Sequence, residues 1–121
     1  MGASHLHRIE RSVCTPFLER VVACLQNCAG VHEIRVFGSY ASDTLSAASD
    51  VDVAVIVSAP AFADRRRLRE RVSKAHGPGD PPYDLLFIPL EDFQARKDFG
   101  GICYDVFHGG ETLWRSENGS V

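Results

Sequence analysis

Ten residues separate Gly38-Ser39 from Asp50-Val51-Asp52, and this second piece runs directly into the apolar stretch Val53-Ala54-Val55-Ile56-Val57. Such a run reads as a strand. Side chains alternate along a strand, so Asp50 and Asp52 are expected on one side of a sheet, where the strand begins. Two carboxylates on one face suit Mg²⁺, which prefers hard oxygen ligands and completes its octahedron with substrate phosphates. Gly38 follows a second short strand, Glu33-Ile34-Arg35-Val36-Phe37. Without a Cβ, Gly38 lets a phosphate approach the backbone, and Ser39 adds a hydroxyl and an N–H.

The rest of the chain reads as an alternation of helices and strands around this pair, an α/β (α+β) pattern. Thr15-Pro16 predicts an N-cap followed by proline at the first helical position, and Phe17, Val21, Cys24, Leu25 and Cys28 recur at helical spacing up to Gly30. A phosphate loop with a short helix is expected between Gly38 and Leu45. Asp64 to His76 reads as the next helix, with Leu68, Val72 and Ala75 inward, closed by Gly77-Pro78-Gly79. A third strand covers Tyr83 to Ile88. Short helices follow over Leu90 to Gln94 and Ile102 to Phe107, with a final strand near Thr112 to Trp114.

That third strand adds an acidic residue. In Pro82-Tyr83-Asp84-Leu85-Leu86-Phe87-Ile88, Asp84 stands near the start of an otherwise apolar strand, where a carboxylate without a partner is costly. A metal ion would offset the cost. If this strand lies beside the Asp50 strand, three carboxylates can serve two ions about 3.5–4 Å apart, a clamp for in-line displacement. Asp80 and Asp92 fall in loop-like contexts and rank below Asp84.

Size and composition set limits on the rest. With 121 residues and 45% hydrophobic content, the chain suits one compact domain over 1–121, with residues 1–10 and 115–121 expected to be flexible. No apolar leader or membrane-spanning stretch stands out, so a cytoplasmic location is expected. Cys14, Cys24, Cys28 and Cys103 lack zinc-site spacing and read as reduced, mostly buried thiols. His5 and His7 fall in a terminus expected to fray, and His32, His76 and His108 share no ligand spacing. The run Arg65-Arg66-Arg67-Leu68-Arg69-Glu70-Arg71 reads as a solvated helix face. A net charge of −3 and the lack of interleaved aromatics argue against nucleic acid as a partner.

Val36-Phe37-Gly38-Ser39 together with Ser49-Asp50-Val51-Asp52-Val53-Ala54-Val55 resembles the signature of the nucleotidyltransferase superfamily that includes DNA polymerase beta. The short chain narrows the resemblance to the minimal nucleotidyltransferases, the MNT proteins. It extends less distinctively from Val31 to Trp114. The resemblance implies a small mixed sheet with helices packed against it. It also implies a Mg²⁺-dependent reaction in which an acceptor hydroxyl attacks the α-phosphorus of a nucleoside triphosphate, ATP being expected, and pyrophosphate leaves. Asp50 and Asp52 would then hold two ions, Asp84 would join the catalytic ion and help deprotonate the acceptor, and Gly38 and Ser39 would hold the β and γ phosphates.

One loop departs from this pattern. Many family members read Gly-Ser-Arg-Ala-Arg-Gly where this chain reads Gly38-Ser39-Tyr40-Ala41-Ser42-Asp43. Two cations and a glycine are replaced, which should weaken triphosphate binding unless Arg35, Lys74 or Arg96 compensates. The roughly 30 residues beyond the Asp84 strand are too few for an acceptor domain. The resemblance therefore implies an acceptor on a partner, a helical HEPN-type protein, with this chain as the antitoxin of a toxin–antitoxin pair. Phe99, Tyr104, Phe107 and Trp114 are candidates for that surface, although core packing is the commoner role of such aromatics. The alternative is a module of the same fold that regulates a helical partner by contact alone. Self-association stays open.

Overall fold

A strand between two others, with helices on both faces of its sheet, must be apolar on both sides. Val51–Val57 (β2) is such a strand, and Asp52 is its only polar residue. A computed structural model of the protein describes residues 10–46 and 49–117. His5, His7 and, of the ends 1–10 and 115–121 expected to be flexible, residues 1–9 and 118–121 lie outside the described residues. In chain order, a 3-10 turn (Arg11–Val13) leads to α1 (Thr15–Leu25), β1 (Val31–Phe37), β2, α2 (Ala59–Ala63) and α3 (Arg65–Ala75). Then come β3 (Tyr83–Pro89), α4 (Leu90–Arg96), α5 (Gly101–His108) and β4 (Glu111–Arg115).

The four strands form one sheet in the order β3-β2-β1-β4. β1 is antiparallel to β2 and β4, whereas β2 and β3 are parallel, so the sheet is mixed, as expected. Val51, Val53, Val55 and Val57 join Ile34, Val36, Leu85 and Phe87 under α1 and α3, where Phe17, Val21, Leu25, Leu68 and Val72 complete the larger core. Ala54, Ile56 and Ile88 point the other way. They meet Phe93 of α4 with Cys103 and Val106 of α5. No helix among the described residues is long and apolar enough to cross a membrane.

Several boundaries differ from the sequence reading for local reasons. The cap of α1 is Cys14 rather than Thr15, because the preceding 3-10 turn already holds Cys14 helical and the Thr15 hydroxyl donates back to the Arg11 carbonyl at 3.4 Å. Between Gly38 and Leu45 the chain makes turns and no helix. The Asp64–His76 helix is preceded by the separate α2, whose first turn contains Pro60 and whose Ala61 N–H donates to Ser58 Oγ at 3.3 Å. Asp92 lies in the first turn of α4 rather than in a loop. Asp80 does occupy a turn, where it pairs with Arg20 and accepts the Gly77 N–H at 2.7 Å. β4 continues through Arg115, and the Ser116 N–H donates to the His32 carbonyl at 2.9 Å. All four cysteines are free, with Cys14 and Cys103 buried.

Arg35 ties the α4/α5 layer and β4 to β1. Only 6% exposed, it donates through Nε to the Val106 carbonyl at 3.0 Å and through Nη2 to the carbonyls of Phe107 and Gly110 at 3.0 and 3.2 Å. Its Nη1 reaches Glu33 Oε2 and Thr112 Oγ1, both at 2.6 Å. All five guanidinium N–H groups are thus engaged, three of them on carbonyls at or just past the C-terminal end of α5. Gly110 permits this closure, since a Cβ there would run into the Val106 and Val36 carbonyls. Burial pushes the Glu33 carboxyl upward, but the bonds from Arg35 and Thr112 and the charges of Arg35 and Arg115 outweigh it and hold it below its ordinary value. Its stabilising contribution is therefore complete above the unfolded value for Glu and is lost as pH falls through the lower folded one.

Replacing Arg35 by Met should cost about 3–5 kcal/mol, because it leaves a buried carboxylate and several carbonyls without their donor. Arg35→Lys should recover little, since an ammonium cannot reproduce the planar fork. Urea unfolding midpoints of the two variants against the unaltered chain check both expectations.

Candidate active site

One end of the sheet gathers the C-terminus of β1 and the N-termini of β2 and β3. Asp52 stands in register with Phe37 on β1 and with Asp84 on β3. Register partners on neighbouring strands share a face, and the strands run about 4.8 Å apart. Asp52 and Asp84 are thus neighbours on the α4/α5 side of the sheet. Asp50 lies one residue ahead of β2 and is exposed, as is Asp84, while Asp52 is half-buried. Val51, between the two β2-end carboxylates, is fixed by its N–H donating to the Pro82 carbonyl at 2.9 Å, which aligns the start of β2 with β3.

The three carboxylates act on one another. The Asp52 carboxyl is raised above its ordinary value, first by burial and then by the negative charges of Asp84 and Asp50. Gly38 adds to the confinement. It adopts a left-handed φ of 67°, and a Cβ there would collide with Asp52 Oδ2. The glycine is required by the carboxylate beside it, a reason that the sequence pattern did not disclose. Among the described residues, no three His, Cys, Asp or Glu side chains are gathered closely enough to enclose a metal ion as they stand. The donor set still fits a hard cation, because these oxygen ligands share one face and carry unrelieved mutual repulsion.

The loop Tyr40-Ala41-Ser42-Asp43 is tied both to the core and to itself. Tyr40 is 7% exposed and belongs to the larger core, with the Arg11 guanidinium 4.4 Å from its ring centroid. Arg11 in turn pairs with Glu111 at 2.7 Å. The Ser42 N–H and hydroxyl both donate to the Gly38 carbonyl, at 3.0 and 3.1 Å, and the Thr44 N–H donates to the Ser39 carbonyl at 2.9 Å. Asp43 takes a left-handed φ of 60°, which explains why glycine suits this position and why aspartate is tolerated there.

The three cations considered as replacements are placed unequally. Arg35 is buried with its donors spent, and Lys74 lies on α3, in the layer opposite Asp52. Arg96 of α4 is also on the Asp52 side, in a groove with Leu86 and Ile88, and is not drawn into such a network. Of the candidate surface aromatics, Phe99 is 84% exposed and Tyr104 41%, whereas Phe107 and Trp114 are partly buried against the two cores. A cleft of about 580 Å³ opens beside Gly38, with Phe37 and Ser42 on one wall and Tyr104, Asp105 and His108 of α5 on the other.

A carboxyl raised by folding destabilises the native state once ionised, so Asp52→Asn should raise the urea midpoint at pH 7. The gain should shrink as pH falls toward the unfolded Asp value of about 3.9, where both states become protonated. A gain independent of pH would contradict the electrostatic origin. Gly38→Ala should lower stability by about 1–2 kcal/mol through the left-handed backbone alone, with displacement of the Asp52 carboxylate adding to the loss. The same unfolding series measures it.

No curated protein matches the chain by sequence. Its fold is similar to that of a candidate nucleotidyltransferase from Sulfolobus solfataricus, at 16% identity and a TM-score of 0.51, covering 90% of this chain and 83% of that one. It is also similar to a toxin–antitoxin structure of an MntA–HpeT mutant, at 21% identity and a TM-score of 0.50, covering 86% of this chain and 74% of that one. At such identities the likeness concerns the fold. Residues 18–102 match the nucleotidyltransferase domain family, a segment that includes Gly38, Ser39, Asp50, Asp52 and Asp84, and the chain belongs to that family.

Proposed function

We propose that this chain is a Mg²⁺-dependent nucleotidyltransferase that moves a nucleoside monophosphate, AMP from ATP, onto a hydroxyl of a partner protein. The observation that carries the reading is the register pairing of Asp52 with Asp84, with Asp50 close enough to raise the Asp52 carboxyl and Gly38 packed against it. Asp50, Asp52 and Asp84 would hold the metal. When bound, Mg²⁺ neutralises charge on the triphosphate and on the carboxylates. Gly38 and Ser39 orient the β and γ phosphates. The acceptor oxygen attacks the α-phosphorus in line, the bond to the β-phosphate bridging oxygen breaks, and pyrophosphate departs. Asp84, the more exposed of the paired strand carboxylates, takes the acceptor proton and releases it to water. The protein's contribution is positioning and charge compensation, as in other phosphoryl-type transfers.

The partner role draws support from the similarity to a structure that is itself a toxin–antitoxin complex. In this reading the chain is the antitoxin, and a helical HEPN-type toxin presents the acceptor. A second reading has one specific observation in its favour. With Tyr40 turned into the core and Ser42 bonded within the loop, neither position supplies a group in place of the family's arginines. In that case the chain restrains its partner by binding alone.

Transfer from ATP labelled at the α-phosphate separates the two. Incubation of the chain with the protein that co-purifies with it, labelled ATP and Mg²⁺ should place label on that partner. Asp50→Ala, Asp52→Ala and Asp84→Ala should each lower it by about 10²-fold or more, the scale on which loss of a charge-stabilising group acts. An unlabelled partner that is still inhibited in the complex would sink the enzyme reading in favour of the binder.

A further inference from the structure

Phe99, in the turn between α4 and α5, is 84% exposed, and Ile102 in the first turn of α5 is 48% exposed. Neighbouring apolar side chains left in water mark a contact site in a way that scattered ones do not. Beside them lies a groove of about 340 Å³. Leu86 and Ile88 of β3, on the α4/α5 face of the sheet, line it together with Phe62 of α2 and Ile102. Gly100 and Gly101 also line it, and the lack of side chains there leaves the groove open next to Phe99. β3 is the outer strand on this side of the sheet, so a second molecule reaches the groove without displacing any element. The Arg69 guanidinium donates to the Leu85 carbonyl at 3.2 Å and so blunts the edge of β3 against strand addition. A fit at this face is therefore made by side chains.

Two charges complete the lining, Asp92 and Arg96, one turn apart on α4. Both are exposed, and among the described residues neither side chain forms a hydrogen bond or an ion pair. The face thus carries a protruding ring, an apolar recess and one charge of each sign. A second copy of the same face answers all of these at once. In a two-fold contact each residue meets a different residue of the other copy and the exchange is repeated across the axis. A partner surface of single sign would satisfy one of the two charges and oppose the other. The net charge of −3 opposes self-association at a distance, whereas the charges on this face cancel.

We propose that this chain pairs with a second copy of itself through this face, with Phe99 of each copy seated in the groove of the other and Asp92 facing Arg96 across the two-fold axis. The groove runs from Leu86 toward Pro89, away from Asp84, so the carboxylate end of each sheet stays open. The pairing does not depend on the nucleotidyl-transfer reading.

Sedimentation equilibrium of the full chain at micromolar concentrations tests it. The unaltered chain should sediment at twice its monomer mass. Phe99→Ala should raise the dissociation constant about 10²-fold or more, because each dimer loses two buried rings. Asp92→Arg and Arg96→Asp should each raise it about tenfold or more, since each sets like charges against one another twice. An equimolar mixture of these two variants should pair again, and so should the chain carrying both substitutions. Far-UV circular dichroism of each variant shows that the fold is retained, as exposure of the three side chains predicts. A monomer at every concentration would overturn the proposal. So would a dimer indifferent to Phe99→Ala, or charge variants that neither the mixture nor the double substitution restores. If Phe99→Ala abolishes the complex with the co-purifying protein while the chain alone stays monomeric, the face belongs to that protein and self-pairing falls.

Discussion

The Arg35 guanidinium is the contact on which the arrangement of layers depends. It emerges from β1 on the face that carries Asp52 and meets α5 end-on, so that three carbonyls at the helix terminus converge on one cation. Positive charge at a helix C-terminus complements the peptide dipoles, and here it also satisfies carbonyls that no intrahelical donor can reach. The same group bonds Thr112 of β4 and, with it, Glu33. One side chain thereby sets how far α5 stands from the sheet, and with it the width of the cleft next to Gly38. This is structural work by a residue whose charge, read along the chain, suggests a phosphate ligand.

A second constraint acts between Gly38 and Asp52. The turn after β1 and the first charged residue of β2 occupy the same small space, so the phosphate loop and the carboxylates are mechanically one unit. Folding raises the Asp52 carboxyl through burial and repulsion. The site is thus a place where the native state stores unfavourable electrostatics, a common property of functional sites. Stability and charge are opposed there, and a cation is the natural means of reconciling them.

Much of this was legible in the chain because it is written locally. The apolar runs of β2 and β3, each interrupted by a single early aspartate, declare both the strands and the anomalous residues on them. The mixed sheet and the helices around it follow the same alternation. What local pattern cannot express is partnership at a distance. Apart from Glu33, two residues before it, Arg35 finds its acceptors 71 to 77 positions further on, so the nearby sequence shows only one of its five bonds. Tyr40 reads as a substitution within a binding loop, yet its ring joins the core and meets Arg11 across the start of α1. The α2 turn carries a local signal in Ser58 followed by Pro60, but five residues are too few to show a helical period. Tyr104 had two readings, core or partner surface, and only the packing of α5 shows which face of the helix it occupies.

Burial of β2 on both faces, with hydrogen-bonded neighbours at both edges, means that its backbone opens to solvent only when much of the domain opens with it. Asp52 is anchored in that slow frame and Asp84 in the strand alongside. The turn from Ser39 to Asp43 is anchored in the core through Tyr40 and otherwise spanned by short-range bonds. Two different tolerances to mutational drift follow within a single site. The carboxylate frame cannot wander without cost to folding, whereas the exposed part of the loop can exchange residues more cheaply provided Gly38 and the Tyr40 anchor are kept. In a lineage with this architecture, the strength with which substrate is held can therefore change while the geometry of the reacting end is preserved.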